Sequence, residues 1–206
     1  MANSSVESHT GFASGTKNLN RMKATKENVA LKDTLKDMPQ TQLDTRMAKA
    51  KPVKLGWSSE EVEHVTHALN DLLVNYSVHY QKLRNYHWNV KGSDFFDLHI
   101  EFEQQYMEAQ QHIDDIAERV RIFSKTPIST MGEYLELSEI KETTSQLSSE
   151  IMVRELIADY TILLGYMFTV VEIAAAQHDS GTEEMVKVFI NRIEKHHWML
   201  SAFLAK

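Results

Sequence analysis

The 206-residue chain has no cysteine, only three prolines and seven glycines, and no uninterrupted apolar run of the roughly 18 residues a membrane span needs. Each absence excludes something. Without cysteine there are no disulfides, thiolate metal sites or thiol nucleophiles, so any chemistry rests on oxygen and nitrogen donors. Scarce proline and glycine disfavour a strand-and-turn architecture and lean toward helices. The start of the chain shows no charged-then-apolar leader with a cleavage pattern, and the expectation is a cytoplasmic protein with no membrane partner.

Basic charge is also short overall, at 22 Lys and Arg against 29 Asp and Glu for a net charge of −7. That average describes neither part of the chain. Residues 1–55 carry ten basic side chains (Lys17, Arg21, Lys23, Lys26, Lys32, Lys36, Arg46, Lys49, Lys51, Lys54) and five acidic ones, a net +5. The remaining 151 residues hold the other 12 basic and 24 acidic side chains, a net −12. The basic segment is rich in Ser, Thr, Asn, Ala and Lys with one Phe as its only aromatic residue, too little apolar surface to fold alone. A short helix near Glu27–Asp37 is the one element it suggests. The expected organisation is a basic flexible tail over 1–55 and a folded body over 56–206.

Helix punctuation starts at Ser58. Ser58 with Glu61, Thr130 with Glu133, Thr143 with Gln146 and Ser180 with Glu183 all fit the S/T-x-x-E/Q capping pattern. Gly92 and Ser93 interrupt one periodic run, Pro127 ends the next and Gly181 closes another. These signals predict long helices over 58–88, 95–124, 146–178 and 182–204, with a short one at 131–139. Helices of about 30 residues are about 45 Å long, which suits a bundle. The link of about 20 residues between the second and third is long enough to run the length of that bundle. The expected fold is an all-α, ferritin-like four-helix bundle with a short helix in the long crossover.

The second helix carries the most informative spacing. His99 and Glu103 stand i, i+4, as do Asp114 and Glu118, so each pair shares a face one turn apart. With Phe102 as zero, these four fall at about 60°, 100°, 120° and 160° around the helix, one arc beside the apolar stripe. The two pairs lie about 22 Å apart along the axis, too far to hold one ion within a single chain. A two-fold axis midway between them would bring the first pair of one copy against the second pair of another, making two identical sites in one interface. His87 can fold back beside His99 across the Gly92 turn. Such imidazoles and carboxylates suit iron or manganese and accept zinc or cobalt. A single i, i+4 pair more often marks a solvated face than a ligand pair, so spacing alone leaves both readings open.

The run His87-Trp88-Asn89-Val90-Lys91-Gly92-Ser93-Asp94-Phe95-Phe96-Asp97-Leu98-His99, continuing through Phe102-Glu103, Tyr106 and Asp114-Asp115-Ile116-Ala117-Glu118-Arg119, resembles the signature of the Dps family, the miniferritins of starved bacterial cells. Glu194-Lys195-His196-His197-Trp198-Met199-Leu200 is similar to the end of that family's last helix. The resemblance spans roughly 57–206. It implies a homododecameric cage that oxidises iron(II), preferably with hydrogen peroxide and otherwise with dioxygen, and stores ferric mineral. It further implies iron bound by His87, His99 and Glu103 of one subunit with Asp114 and Glu118 of its neighbour, and Trp88 beside them as an acceptor of an oxidising equivalent or a packing residue. Glu103 stands where many members have Asp, and its longer reach bears on the second metal position.

Two further features follow the resemblance. Asp179, Glu183 and Glu184 are candidates for an acidic pore where three subunits meet, although acids at a helix start also serve the helix dipole. In some members of the family a basic tail binds DNA. Lys17, Arg21, Lys23, Lys26, Lys32, Lys36, Lys49, Lys51 and Lys54 are the corresponding candidates here, and nucleoid association would go with them. The rival pairs Glu61-x-x-His64 and Glu194-x-x-His197 match an intrasubunit di-iron spacing, but lie at opposite ends of a bundle of this topology. They read as surface or interface groups, and His67, His112, His178 and His196 read as surface or packing residues.

Overall fold

The computed structural model describes residues 56–205, and the tail expected over 1–55 lies outside them. Five helices follow in order: α1 Ser59–Asn89, α2 Phe95–Ile122, α3 Met131–Leu137, α4 Ser149–Ala176 and α5 Ser180–Leu204. Among the described residues there is no strand.

The cross-links between helices set their directions. Tyr76 of α1 bonds His112 of α2 and Asn70 bonds the backbone at Ile128, so α1 and α2 run antiparallel. Asp94 meets Ser149 and Gln105 meets Tyr160, so α2 and α4 run parallel. Arg119 meets Asp179 while Glu108 meets His196, which makes α5 antiparallel to α2. The crossover through α3 must therefore travel the length of the bundle. Asn75 fastens it: its buried Oδ1 accepts from the Ser138 hydroxyl and from the Glu139 and Ile140 amides at 3.0–3.2 Å.

Apolar side chains at helical spacing close the core, among them Leu69, Leu72, Leu73, Tyr86, Phe102, Ile116, Met152, Leu156 and Leu163, all at most 1% exposed. On length and composition α4 could cross a membrane, the only described helix that could. Its buried Asp159 and the pairing of that carboxylate with Lys82 make it a wall of the bundle. Only a third of its most apolar stretch is buried in the single chain.

Capping explains where the expected boundaries need correction. Ser58 forms the full capping box with Glu61, and Thr130 accepts from the Glu133 amide, as expected. Thr143 does not cap α4. Ser148 does, accepting from the Ile151 amide, so α4 begins at Ser149, not near 146. Ser180 does not cap α5 either: Asp179 accepts from the Thr182 amide, and Gly181 lies inside the helix. A carboxylate is the stronger acceptor at a positive helix end. The end of α2 precedes Pro127 by several residues, because Ser124 takes a left-handed φ of 61°. His178, with φ 57°, likewise closes α4 before 178, and α3 stops at Leu137 because Ser138 leaves the helix to meet Asn75.

Candidate metal centre

The turn between α1 and α2 brings the two histidines together. Val90 leaves the helix with an extended backbone and Gly92 takes φ +103°, a conformation that a side chain would strain. The chain reverses, and His87 and His99 stack with ring centroids 3.9 Å apart and planes 19° from parallel. Their bonds are reciprocal: His87 Nδ1 lies 2.8 Å from the His99 carbonyl oxygen, and His99 Nδ1 lies 2.8 Å from that of His87. A carbonyl only accepts, so each Nδ1 carries a proton, which leaves Nε2 as the nitrogen through which either ring would bind a metal. A ring anchored in this way through its second nitrogen is the form in which imidazole binds metal.

The surroundings hold the pair in place. Phe95 stacks on His99 at 4.9 Å and Tyr106 sets its edge to His87 at 5.4 Å. Glu103, half-buried, receives the Tyr106 hydroxyl at 3.3 Å. Partial desolvation and the Glu103 charge raise the Tyr106 phenol, so its O–H remains a donor. Trp88 is 57% exposed, with the Arg84 guanidinium 4.7 Å over its ring, so it does not pack in the core of its own bundle.

Asp114 and Glu118 sit further along α2, exposed and with no protein partner among the described residues. No three His, Asp or Glu side chains among the described residues form a group able to hold a metal within the chain. The single chain thus brings His87 and His99 together, has Glu103 one turn along α2 from His99, and keeps the other two acids apart. Phe96, Ile100 and Met107 are 76%, 52% and 61% exposed. By helical geometry they fall at about 120°, 160° and 140°, on the same arc as the four polar candidates of α2. Large apolar side chains left open together mark a surface suited to contact with a partner.

Of the three acids considered for a pore, Glu184 is exposed and Glu183 is half-buried and reached by Lys187. Asp179 is 1% exposed, bound to Arg119 and capping α5. Gly181 permits that contact, since a Cβ there would lie 3.0 Å from the Arg119 guanidinium.

A second polar cluster lies inside the bundle, and sequence reasoning missed it. Two of its members, His112 and His196, read as surface or packing residues by default. His112 is in fact buried with its Nδ1 3.1 Å from the Tyr76 hydroxyl, while His196 Nε2 bonds Glu108 at 2.8 Å and its Nδ1 lies 3.5 Å from Glu101. His79 and Lys82 both meet Asp159, at 3.1 and 2.9 Å. Burial lowers the His112 imidazole to about 4. Burial would lower His196 too, but the contacts to Glu101 and Glu108 outweigh it and raise that imidazole to about 9. His64, His67 and His178 are exposed, and Glu61 serves as the α1 capping partner. His197 and Glu194 line an open groove with Phe168.

This bundle and its crossover are those of the ferritin-like domain, the family that matches residues 66–206. Within that class the chain belongs to the Dps family, named for DNA protection during starvation. It is 41% identical to DNA protection during starvation protein 2 of Bacillus anthracis, over 69% of this chain and 97% of that protein. Identity to general stress protein 20U of Bacillus subtilis is 40%, over 69% and 98%. Among solved structures, Dps from Vibrio cholerae superposes with a TM-score of 0.73 at 35% identity, covering 76% of this chain and 99% of that one. Dps from Bacillus brevis gives 0.69 at 39%, covering 72% and 100%.

Proposed function

We propose that this chain is the subunit of a twelve-chain cage that oxidises iron(II) at sites shared between two-fold-related subunits. The cage stores the ferric product as mineral and so protects DNA in the bacterial cytoplasm. The observation that carries this reading is the reciprocal His87–His99 pair, two imidazoles oriented by backbone carbonyls through Nδ1, in a chain whose described residues gather no complete metal-binding group of their own. The uncommitted Asp114 and Glu118 of the partner subunit supply the rest, and Phe96, Ile100 and Met107 seal the contact. Iron(II) is the substrate. Nitrogen and carboxylate donors accept it, with zinc, manganese or cobalt able to take the same places, and carboxylates favour the ferric product.

Two ferrous ions held together give one electron each to one hydrogen peroxide, which takes up two protons and leaves as two waters. Paired delivery avoids the one-electron route that frees hydroxyl radical, and dioxygen serves as the slower oxidant. Trp88, next to His87 in sequence and exposed in its own subunit, would take up a stray oxidising equivalent or pack against the neighbouring subunit. A chain without cysteine has no thiol for peroxide to attack. Glu183 and Glu184 at the start of α5 draw cations toward a three-fold opening, with Asp179 behind them holding the helix end.

The expected mass is about twelve times the 23.7 kDa chain, and the assembly is expected to turn iron(II) and peroxide into a soluble ferric core. A mass near one or two subunits, with iron precipitating freely, would overturn the reading.

The charge split favours a second activity, DNA binding through the basic segment. Twelve arms of net +5 make a multivalent phosphate-binding surface where one arm would be weak. Lys17, Arg21, Lys23, Lys26, Lys32, Lys36, Lys49, Lys51 and Lys54 would make those contacts. At low salt the full chain is expected to retard duplex DNA in a gel, and a form lacking 1–55 is not. Equal retardation by both, or by neither, would reject the arm.

A further inference from the structure

Glu103 is the glutamate among the ligand candidates nearest the histidine pair in sequence, with three side-chain torsions to order where an aspartate has two. Among the described residues its carboxylate receives one protein hydrogen bond, from the Tyr106 hydroxyl at 3.3 Å. Helical side chains lie back over the turn before them, and this brings the Tyr106 hydroxyl to the residue three positions earlier. The ring is itself fixed. It meets His87 edge-on at 5.4 Å and Tyr80 at 6.2 Å. Tyr80 in turn donates to Gln110 at 3.4 Å and lies under the Arg84 guanidinium at 5.3 Å. A rigid aromatic anchor thus meets one imidazole of the centre and restrains the Glu103 carboxylate.

We propose that Tyr106 is a positioning residue for Glu103, tying its carboxylate to the ring that meets His87 so that the more weakly bound of two metal ions finds its ligand already ordered. The proposal rests on the reading of Glu103 as a metal ligand. It explains how a glutamate serves where a shorter aspartate would need no such restraint. A hydrogen bond of this length on a half-buried group is worth a modest factor, about 3- to 10-fold in affinity for the second ion.

The test is an anaerobic titration of the full-length assembly with zinc(II) and, for its visible spectrum, cobalt(II), neither of which turns over. Tyr106→Phe keeps the ring contacts with His87 and Tyr80 and removes only the hydroxyl. It is expected to weaken the second ion about 3- to 10-fold, to alter the cobalt band of that ion, and to leave the first ion and the assembly mass unchanged. In a Glu103→Asp background the shorter carboxylate does not reach the hydroxyl, so adding Tyr106→Phe is expected to change nothing further. Unchanged second-ion affinity in Tyr106→Phe, or an equal loss in both backgrounds, would overturn the role of the tyrosine alone. Should Glu103→Ala bind both ions as the parent does, Glu103 is no ligand, and its placement and the positioning role fall together.

Discussion

Mixed after dissociation and allowed to reassociate, a His87→Ala/His99→Ala chain and an Asp114→Ala/Glu118→Ala chain are expected to recover iron oxidation that neither shows alone. Each variant by itself lacks two of the five ligands at every site. In a mixed pair one site combines both defects, while the other combines the intact histidines of one chain with the intact acids of the other. Random pairing makes about half the pairs mixed, so about a quarter of the parent's sites return. The readout is ferric absorbance after adding iron(II) and peroxide, at equal total protein. Activity in either variant alone would remove its residues from the ligand set. No recovery on mixing, with normal assembly mass, would mean that the site lies within one chain. The two imidazoles are already bonded through Nδ1 to backbone carbonyls before metal arrives, so their orientation is set in advance of binding.

What could be read in advance, and what could not, divides by the range of the interactions. Four long helices with a crossover between the second and third follow from apolar periodicity and punctuation, both local. Ser58 and Thr130 are legible as caps because each has its acidic partner three residues on, which the adjacent Ser59 and Ser129 lack. Thr143 and Ser180 failed because Ser148 and Asp179 compete for the same helix ends. Asp179 is favoured by Arg119, 60 residues away in sequence. The approach of His87 to His99 could be inferred from one glycine turn, whereas their reciprocal bonds depend on the register of two helices. The interior cluster was hidden for a similar reason. A polar side chain in a helical pattern reads as exposed until its partner is known, and the partner of His79 lies 80 residues onward. Trp57, whose indole bonds the Gln177 carbonyl and whose ring meets Phe123, closes one end of the bundle by contacts no local pattern announces.

That interior cluster gives the second large effect, a stability optimum near pH 6.5 with limbs of separate origin. The His196 imidazolium faces Glu101 and Glu108 of α2, with Arg192 beside Glu108 and Tyr160 of α4 across from it. Raised to about 9 in the folded chain from 6.5, it contributes stability that is complete below 6.5 and disappears as pH climbs toward 9. His112 has the opposite sign. Lowered by burial to about 4, it stays neutral in the fold while the unfolded chain takes up a proton, so stability falls as pH drops from 6.5 toward 4. Glu101 and Glu108, both held below the usual carboxylate range chiefly by the bond to His196, steepen the acid limb. Each histidine shift corresponds to at most about 3 kcal/mol, and solvent reaching the cluster reduces that to about 2 kcal/mol. The measurement is the denaturant unfolding midpoint from pH 4 to 9 for parent and His196→Gln at one protein concentration, so that assembly contributes equally to both. The variant is expected to be less stable by about 2 kcal/mol at pH 6, with the gap closing toward pH 9 as the parent loses its imidazolium. A gap that stays constant across that range would show that His196 contributes packing alone and that no charged latch joins α5 to α2.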